Sequence, residues 1–292
     1  MTGISFEVNE GIETLDDLRR GSPDAIAAAM AAWKANRTGP FTTGGIGSFA
    51  IMPVLQFQSE EGKEELEELL ASYPVHRNDE QPVESEYHNF VASTLSSKDD
   101  GSGAFWLAPA LATFGEFSSD LGQTNHSNSE RYLTIGFTNP HPFSRGSSHI
   151  TSSNPDDKPE IDTCYLKHPL DVEVIARHLT LIETLARTQP MRNLIKDPEN
   201  GLRNNPLAKA KTIDEARTWA KVGSISNWHP VGTCTMLPKE KGGVVGHDLL
   251  VHGVKGLRIV DSSIMPVITR GNPQTTVYAV AERAADLILG EQ

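Results

Sequence analysis

Apolar and polar positions alternate along this chain with two different periods, and the changes of period mark out its elements. The opening ISFEV reads as a short strand, and SPDAIAAAMAAWKANR from Ser22 to Arg37 predicts a helix with a serine cap and a proline in its first turn. After the turn-rich TGPFTTGG comes the apolar stretch SFAIMPVLQF. The charged run SEEGKEELEELLASY then predicts an amphipathic surface helix, in which Glu61, Leu66, Leu69 and Leu70 divide a wet face from a buried one.

From Tyr73 to Asp100 the chain is polar, with a helix expected around ESEYHNFVASTL. GSGAFWLAPALATFGEF is apolar enough to lie inside, as either helix or strand. YLTIGFT and SSHITSS read as strands, and DVEVIARHLTLIETLART from Asp171 to Thr188 is a strongly periodic helix. Past Lys221 the chain is rich in glycine and short apolar runs, among them the strand-like Leu257 to Val260, and it ends in the helix TTVYAVAERAADLILG. Strands and helices alternate without a clean βαβ repeat, so the pattern predicts a mixed α+β fold on a largely antiparallel sheet.

Charge narrows the partners. Acidic residues outnumber basic ones by 38 to 26, a net charge of −12, and such a field repels nucleic acid and anionic membranes while admitting small neutral molecules. No run of eighteen apolar residues occurs, and MTGISFEVNEG lacks the basic and apolar regions of a signal peptide, which leaves localisation open. Cys164 and Cys234 make no disulfide framework and no CxxC pair, and are expected to be buried thiols. Sequons at Asn36 and Asn125 carry little weight.

Three familiar chemistries find no support. Gly45-Ile-Gly47-Ser-Phe-Ala50 matches the phosphate-binding GxGxxG/A pattern in letters, but turn residues precede it and strand-like residues follow, so no helix start would meet a phosphate. No GxSxG elbow marks an α/β-hydrolase. His247 and His252 lie beside glycine turns without metal-ligand spacing and read as surface loop histidines, so no metal site is expected.

Four segments in order then carry a resemblance: Pro142-Phe-Ser-Arg-Gly146 with the SSHITSSNPDDKPEIDTCYLKHPLDVEVI that follows; Asn227-Trp-His-Pro-Val-Gly-Thr-Cys-Thr-Met236; Gly256-Leu-Arg-Ile-Val-Asp-Ser-Ser-Ile-Met-Pro266; and Gly271-Asn-Pro-Gln-Thr-Thr-Val-Tyr-Ala-Val-Ala-Glu-Arg-Ala-Ala-Asp-Leu287. Together they resemble the carboxyl-terminal half of the flavin-dependent glucose-methanol-choline (GMC) oxidoreductases. The likeness is sharp from about Thr138 onward and looser before, where SFEV, GIETLDDL and RTGP are similar to the family's substrate-side region. Members are about twice as long, and the resemblance implies that this chain begins after the unit that binds the ADP part of FAD.

That resemblance implies a substrate-binding domain over residues 1–222. It assigns residues 223–292 to a catalytic segment and the carboxyl-terminal part of an incomplete FAD-binding domain. Within the first segment it implies a strand, a turn around Asn-Pro-Asp, a second short strand and a helix from Asp171. It also implies FAD-dependent oxidation of an alcohol, with His229 as general base and Asn272 as its catalytic partner. Taken alone, a histidine between tryptophan and proline is more often a packed or hydrogen-bonded structural residue, which the resemblance reverses, and Gly-Asn-Pro is a turn signal. Trp228, Asp261, Pro273, Gln274 and Thr275 are the implied flavin neighbours, although Asp261 is as well explained as a cap; Trp228 could instead fill core, but its position next to the base favours the flavin. Some relatives cleave cyanohydrins, a less favoured alternative. A third possibility is an inactive fragment, or one half of a split enzyme whose partner is a separately encoded FAD-binding half. On that last reading Leu257, Ile259 and Val260 form an exposed patch.

Overall fold

The computed structural model describes residues 1–74, 82–114 and 130–290. The sequon at Asn125 lies outside them, and Asn36 is exposed at the end of a helix. The chain divides into two compact units, each assembled from three separate stretches.

The first unit comprises Met1–Val54, Gly103–Asn139 and Val172–Asn227. Its centre is a four-stranded sheet of β1 (Thr2–Glu7), β2 (Ser48–Met52), β3 (Gly103–Ala108) and β4 (Tyr132–Thr138), in the order β1-β4-β3-β2 with every pairing antiparallel. β1 and β4 are buried almost throughout, so even their polar side chains need partners. Ser5 and Thr134, opposite each other in the register, share a hydroxyl hydrogen bond of 2.7 Å. On the facing pair Trp106 and Gly136, the indole occupies the space a side chain at Gly136 would need: a methyl group there would stand 2.1 Å from the ring.

Helices cover this sheet. Beyond the short α1 (Asp16–Arg19), α2 (Pro23–Asn36) starts as the sequence predicts, with the Ser22 hydroxyl accepting from the Ala25 N–H and Pro23 in the first turn. α5 (Pro169–Arg187), whose residues from Val172 onward belong here, lays its fully buried His178 on the sheet. That ring stacks on Phe137 at 4.5 Å and meets Phe105 edge-on at 5.3 Å. α6 (Met191–Leu194) follows, and α7 (Ile213–Val222) opens with a reciprocal capping box between Thr212 and Glu215. α7 buries Trp219, whose indole N–H donates to the Gly3 carbonyl at 3.0 Å. Glu173 on α5 receives Arg177 from its own helix and Arg217 from α7, which ties the two helices together.

The second unit comprises Leu55–Ser102, Pro140–Asp171 and Trp228–Gln292. α3 (Glu60–Ser72) is amphipathic as expected: Leu66 is buried, Leu69 and Leu70 are half-buried and Glu61 is exposed. α4 (Pro82–Ser96) buries Tyr87, Val91 and Leu95, a stripe at helical spacing. β5 (Ser147–His149) and β6 (Glu160–Asp162) form a two-stranded antiparallel ribbon around the Asn-Pro-Asp turn. α8 (Gln274–Leu289) ends at Gly290, which adopts the left-handed conformation of a helix C-terminus.

The expected antiparallel α+β fold is present, with three local corrections. Leu257 to Val260 is not a strand: among the described residues it pairs only with Leu249–Val251, and the ladder stops at one bridge between Leu250 and Arg258. Its side chains split as well. Leu257 is 49% and Val260 38% exposed, while Ile259 packs against the core of Val245, Leu249, Ile264 and Ala284. Cys164 and Cys234 are half-buried, not buried, because each lies in an irregular segment next to polar neighbours.

The Gly45–Ala50 stretch runs directly into β2, so it has the strand and not the helix that phosphate binding would need.

Candidate active site

The segment carrying His229 is built into the second unit by backbone pairing. The Cys234 N–H donates to the Ser263 carbonyl at 2.9 Å, and the Met236 N–H to the Ile264 carbonyl at 2.8 Å. On its other side, Val244 donates to the Thr235 carbonyl at 2.8 Å. The short run Cys234–Met236 is therefore held between two other segments by main-chain bonds. Below it Met236, Val244, Ile259, Val280 and Leu287 pack on the buried Val245, Leu249, Ile264 and Ala284. α8 is part of this same core, so the sequence motifs around His229, Asp261 and Asn272 share one packed support.

The turn between His229 and that run is tight. Gly232 has φ +87, a left-handed conformation that suits glycine, and a methyl group on it would lie 3.1 Å from the Met265 carbonyl oxygen. Thr235 Oγ1 donates to the Gly232 carbonyl at 2.7 Å and closes the turn. Trp228 also has positive φ, +53, and its side chain is 69% exposed, so it is not core filling. His229 is half-buried, and burial holds its imidazole pKa below the ordinary histidine value.

Asp261 is exposed and caps its own turn: its carboxylate accepts the Ser263 N–H at 2.8 Å, at the start of the short 3₁₀ turn Ser262–Ile264. Asn272 is exposed in the loop that enters α8, and Pro273 is buried at the helix cap. Gln274 and Thr275 are exposed on the first turn. No side chain caps α8 and no acidic residue lies in its first turn, so its positive end and first N–H groups suit an electron-rich group. The loop before Asn272 is anchored twice. A nitrogen of the buried His141 ring lies 3.0 Å from the Ile268 carbonyl, and Arg270 pairs with Asp100 at 2.9 Å.

Neither anchor is suggested by sequence spacing, and the same is true of the groups that fix the Pro142–Gly146 turn. The buried Asp171 carboxylate accepts the N–H groups of Phe143 at 2.6 Å and Ser144 at 2.9 Å. Tyr87 donates its phenol to the Pro142 carbonyl at 2.9 Å. His252, read as a loop histidine, is half-buried with a ring nitrogen 3.0 Å from the Leu237 carbonyl; His247 is exposed.

Residues 142–281 match the family model described as GMC oxidoreductase. Over that stretch, just under half of its length, the chain is similar to the carboxyl-terminal domain of the GMC oxidoreductases. A GMC oxidoreductase family protein of Malassezia sympodialis is 35% identical over 150 residues, which cover 51% of this chain and 24% of that one. Among solved structures, an FAD-dependent oxidoreductase of Chaetomium thermophilum superposes with a TM-score of 0.72 at 23% identity, covering 100% of this chain and 48% of its own. A fungal aryl-alcohol oxidase gives 0.69 at 25% identity, covering 99% and 47%. The chain thus spans less than half the length of these solved relatives.

Proposed function

We propose that this chain supplies the substrate-side and catalytic portion of an FAD-dependent oxidoreductase that converts an alcohol CH–OH to a carbonyl. The observation that carries the reading is the common support of the three motifs: the His229 segment is hydrogen-bonded to the Asp261–Ile264 turn, and both rest on α8, whose entry loop holds Asn272. On this reading residues 1–222 bind substrate, and residues 223–292 bring the catalytic pair and the carboxyl-terminal part of the FAD-binding domain.

A neutral alcohol is a poor hydride donor and its alkoxide a good one, so the reaction needs a base at the hydroxyl. His229 serves: with its pKa held down by burial, the imidazole is neutral near pH 7 and has a lone pair to accept the proton. Asn272 hydrogen-bonds the substrate oxygen through an amide that does not titrate. Trp228, Asp261, Pro273, Gln274 and Thr275 would border the flavin, with the uncapped start of α8 stabilising negative charge. When bound, FAD supplies the hydride acceptor. The residues present fit the ring end of that cofactor, whereas Gly45–Ala50, leading into a strand, offers no cradle for its phosphates.

The test is His229→Ala in a flavin-complete assembly. Stopped-flow reduction of the flavin by substrate should slow by about two to four orders of magnitude, and Asn272→Ala should cost less. An unchanged rate in the histidine variant overturns the mechanism.

A second reading, one half of a split enzyme or an inactive fragment, is favoured by exposed Leu257, Val260, Tyr278, Ile288 and Leu289. In that case the chain alone stays colourless with FAD. Adding a separately expressed flavin-binding half restores the yellow spectrum for a split enzyme and leaves it absent for a dead fragment.

A further inference from the structure

The Pro142–Gly146 motif is prominent in the sequence, yet the proposed chemistry gives it no task. Its backbone is pinned from several directions. Asp171 holds the N–H groups of Phe143 and Ser144, and the Ser144 hydroxyl accepts the His168 N–H at 2.8 Å. Gly146 sits so close to β6 that a methyl group on it would lie 2.3 Å from the Asp162 carbonyl oxygen. Arg145 is thus projected from a fixed turn. Its guanidinium lies over the ring of Tyr87, 4.6 Å from the centroid, and that ring is itself buried and tied to the same turn through Pro142. A planar cation on a fixed aromatic face has few orientations open to it.

The far end of that guanidinium reaches the turn after His229. A methyl group on Gly232 would stand 3.6 Å from Arg145 Nη2 and 3.1 Å from the Met265 carbonyl oxygen, so both close off the side-chain side of Gly232. Gly232 lies in the turn that leads out of His229. We propose that Arg145 is a positioning residue: stacked on Tyr87, it braces the Pro230–Gly232 turn and so fixes the direction in which His229 presents its imidazole. The assignment rests on the reading of His229 as the base. It predicts that the plane of the guanidinium matters more than its charge, because its contacts are with a ring and a glycine.

Histidine ring NMR on the chain, labelled at Cε1, tests the geometry without flavin. In Arg145→Ala the His229 resonance should shift and its titration should move up toward the ordinary value, while the core His178 signal stays put. Arg145→Lys should behave like the alanine variant. Should the alanine variant fail to fold, Arg145→Met keeps the stem, loses the plane and must give the same shift. A His229 resonance and titration identical to wild type in a folded variant overturns the proposal. In the flavin-complete assembly, kcat should fall about tenfold to a hundredfold with KM little changed, and the pH–rate limb should move with the NMR titration. If His229→Ala abolishes turnover while Arg145→Ala keeps both rate and pH profile, the brace is refuted and the base stands. If His229→Ala keeps full activity, the base is refuted, whereas the NMR shift still decides the brace.

Discussion

The Ser262 hydroxyl donates to the Pro230 carbonyl at 3.3 Å, so the turn after His229 and the turn capped by Asp261 are joined by a side chain as well as by backbone. This bond is exposed. Ser262→Ala should therefore cost only about 0.5 kcal/mol of global stability, read as a small shift of the urea midpoint. A cost several times larger would mean that the two turns are coupled more strongly than the structure indicates.

Gly232→Ala should be far more damaging. The new methyl group meets the Met265 carbonyl at 3.1 Å and the residue must hold φ +87, so a loss of about 1–3 kcal/mol is expected. Denaturant unfolding measures the loss, and a midpoint unchanged from wild type contradicts the strained turn.

Acid should weaken the first unit through His178. Burial pushes its pKa down to about 3. The unfolded chain takes up a proton near the ordinary value of about 6.5, which the folded chain refuses until far lower. The contribution is thus complete above the unfolded value and is lost as pH falls from there toward about 3, by roughly 1.4 kcal/mol per pH unit. The difference between wild-type and His178→Gln stability, followed by urea unfolding from pH 7 to pH 4.5, should slope accordingly. A flat difference contradicts a buried neutral ring.

Gly136→Ala should displace the Trp106 indole, since the added carbon would fall 2.1 Å from it. Overpacking of this kind costs about 1–3 kcal/mol, and it should blue- or red-shift the tryptophan fluorescence of the folded state. A crystal structure of the variant with Trp106 unmoved would contradict the packing described.

Periodicity made most elements legible before any coordinates. The serine and proline that start α2, the stripe on α3 and the turn between β5 and β6 are all local signals, and they lie where the sequence puts them. GSGAFWLAPALATF stayed ambiguous because β3 is largely buried at successive positions and so lacks the alternation that identifies a half-exposed strand. Leu257 to Val260 misled in the opposite direction: its residues suit a strand, but a ladder's length is set by its partner, here only Leu249–Val251. The site divided the same way. Of the proposed site, His229 and Asn272 lie in contiguous motifs, whereas the contacts among Tyr87, Asp171 and the Pro142–Gly146 turn join three distant stretches that no spacing rule connects.

The two ends of the four-stranded sheet are finished differently, and this bears on how the protein must be handled. Along β1, the 195–204 segment covers the outer rim with main-chain bonds to Glu7 and Ser5. In the sheet order β2 is the other terminal strand, paired among the described residues with β3 alone, and it carries Phe49 at 62% and Ile51 at 50% exposure. An apolar strand at a sheet rim is a template for a second chain. Concentrated samples should therefore be lost to strand-to-strand association from the native state before they are lost to unfolding. A single lysine at position 51 is the gatekeeper expected to extend their shelf life, leaving the melting temperature where it was.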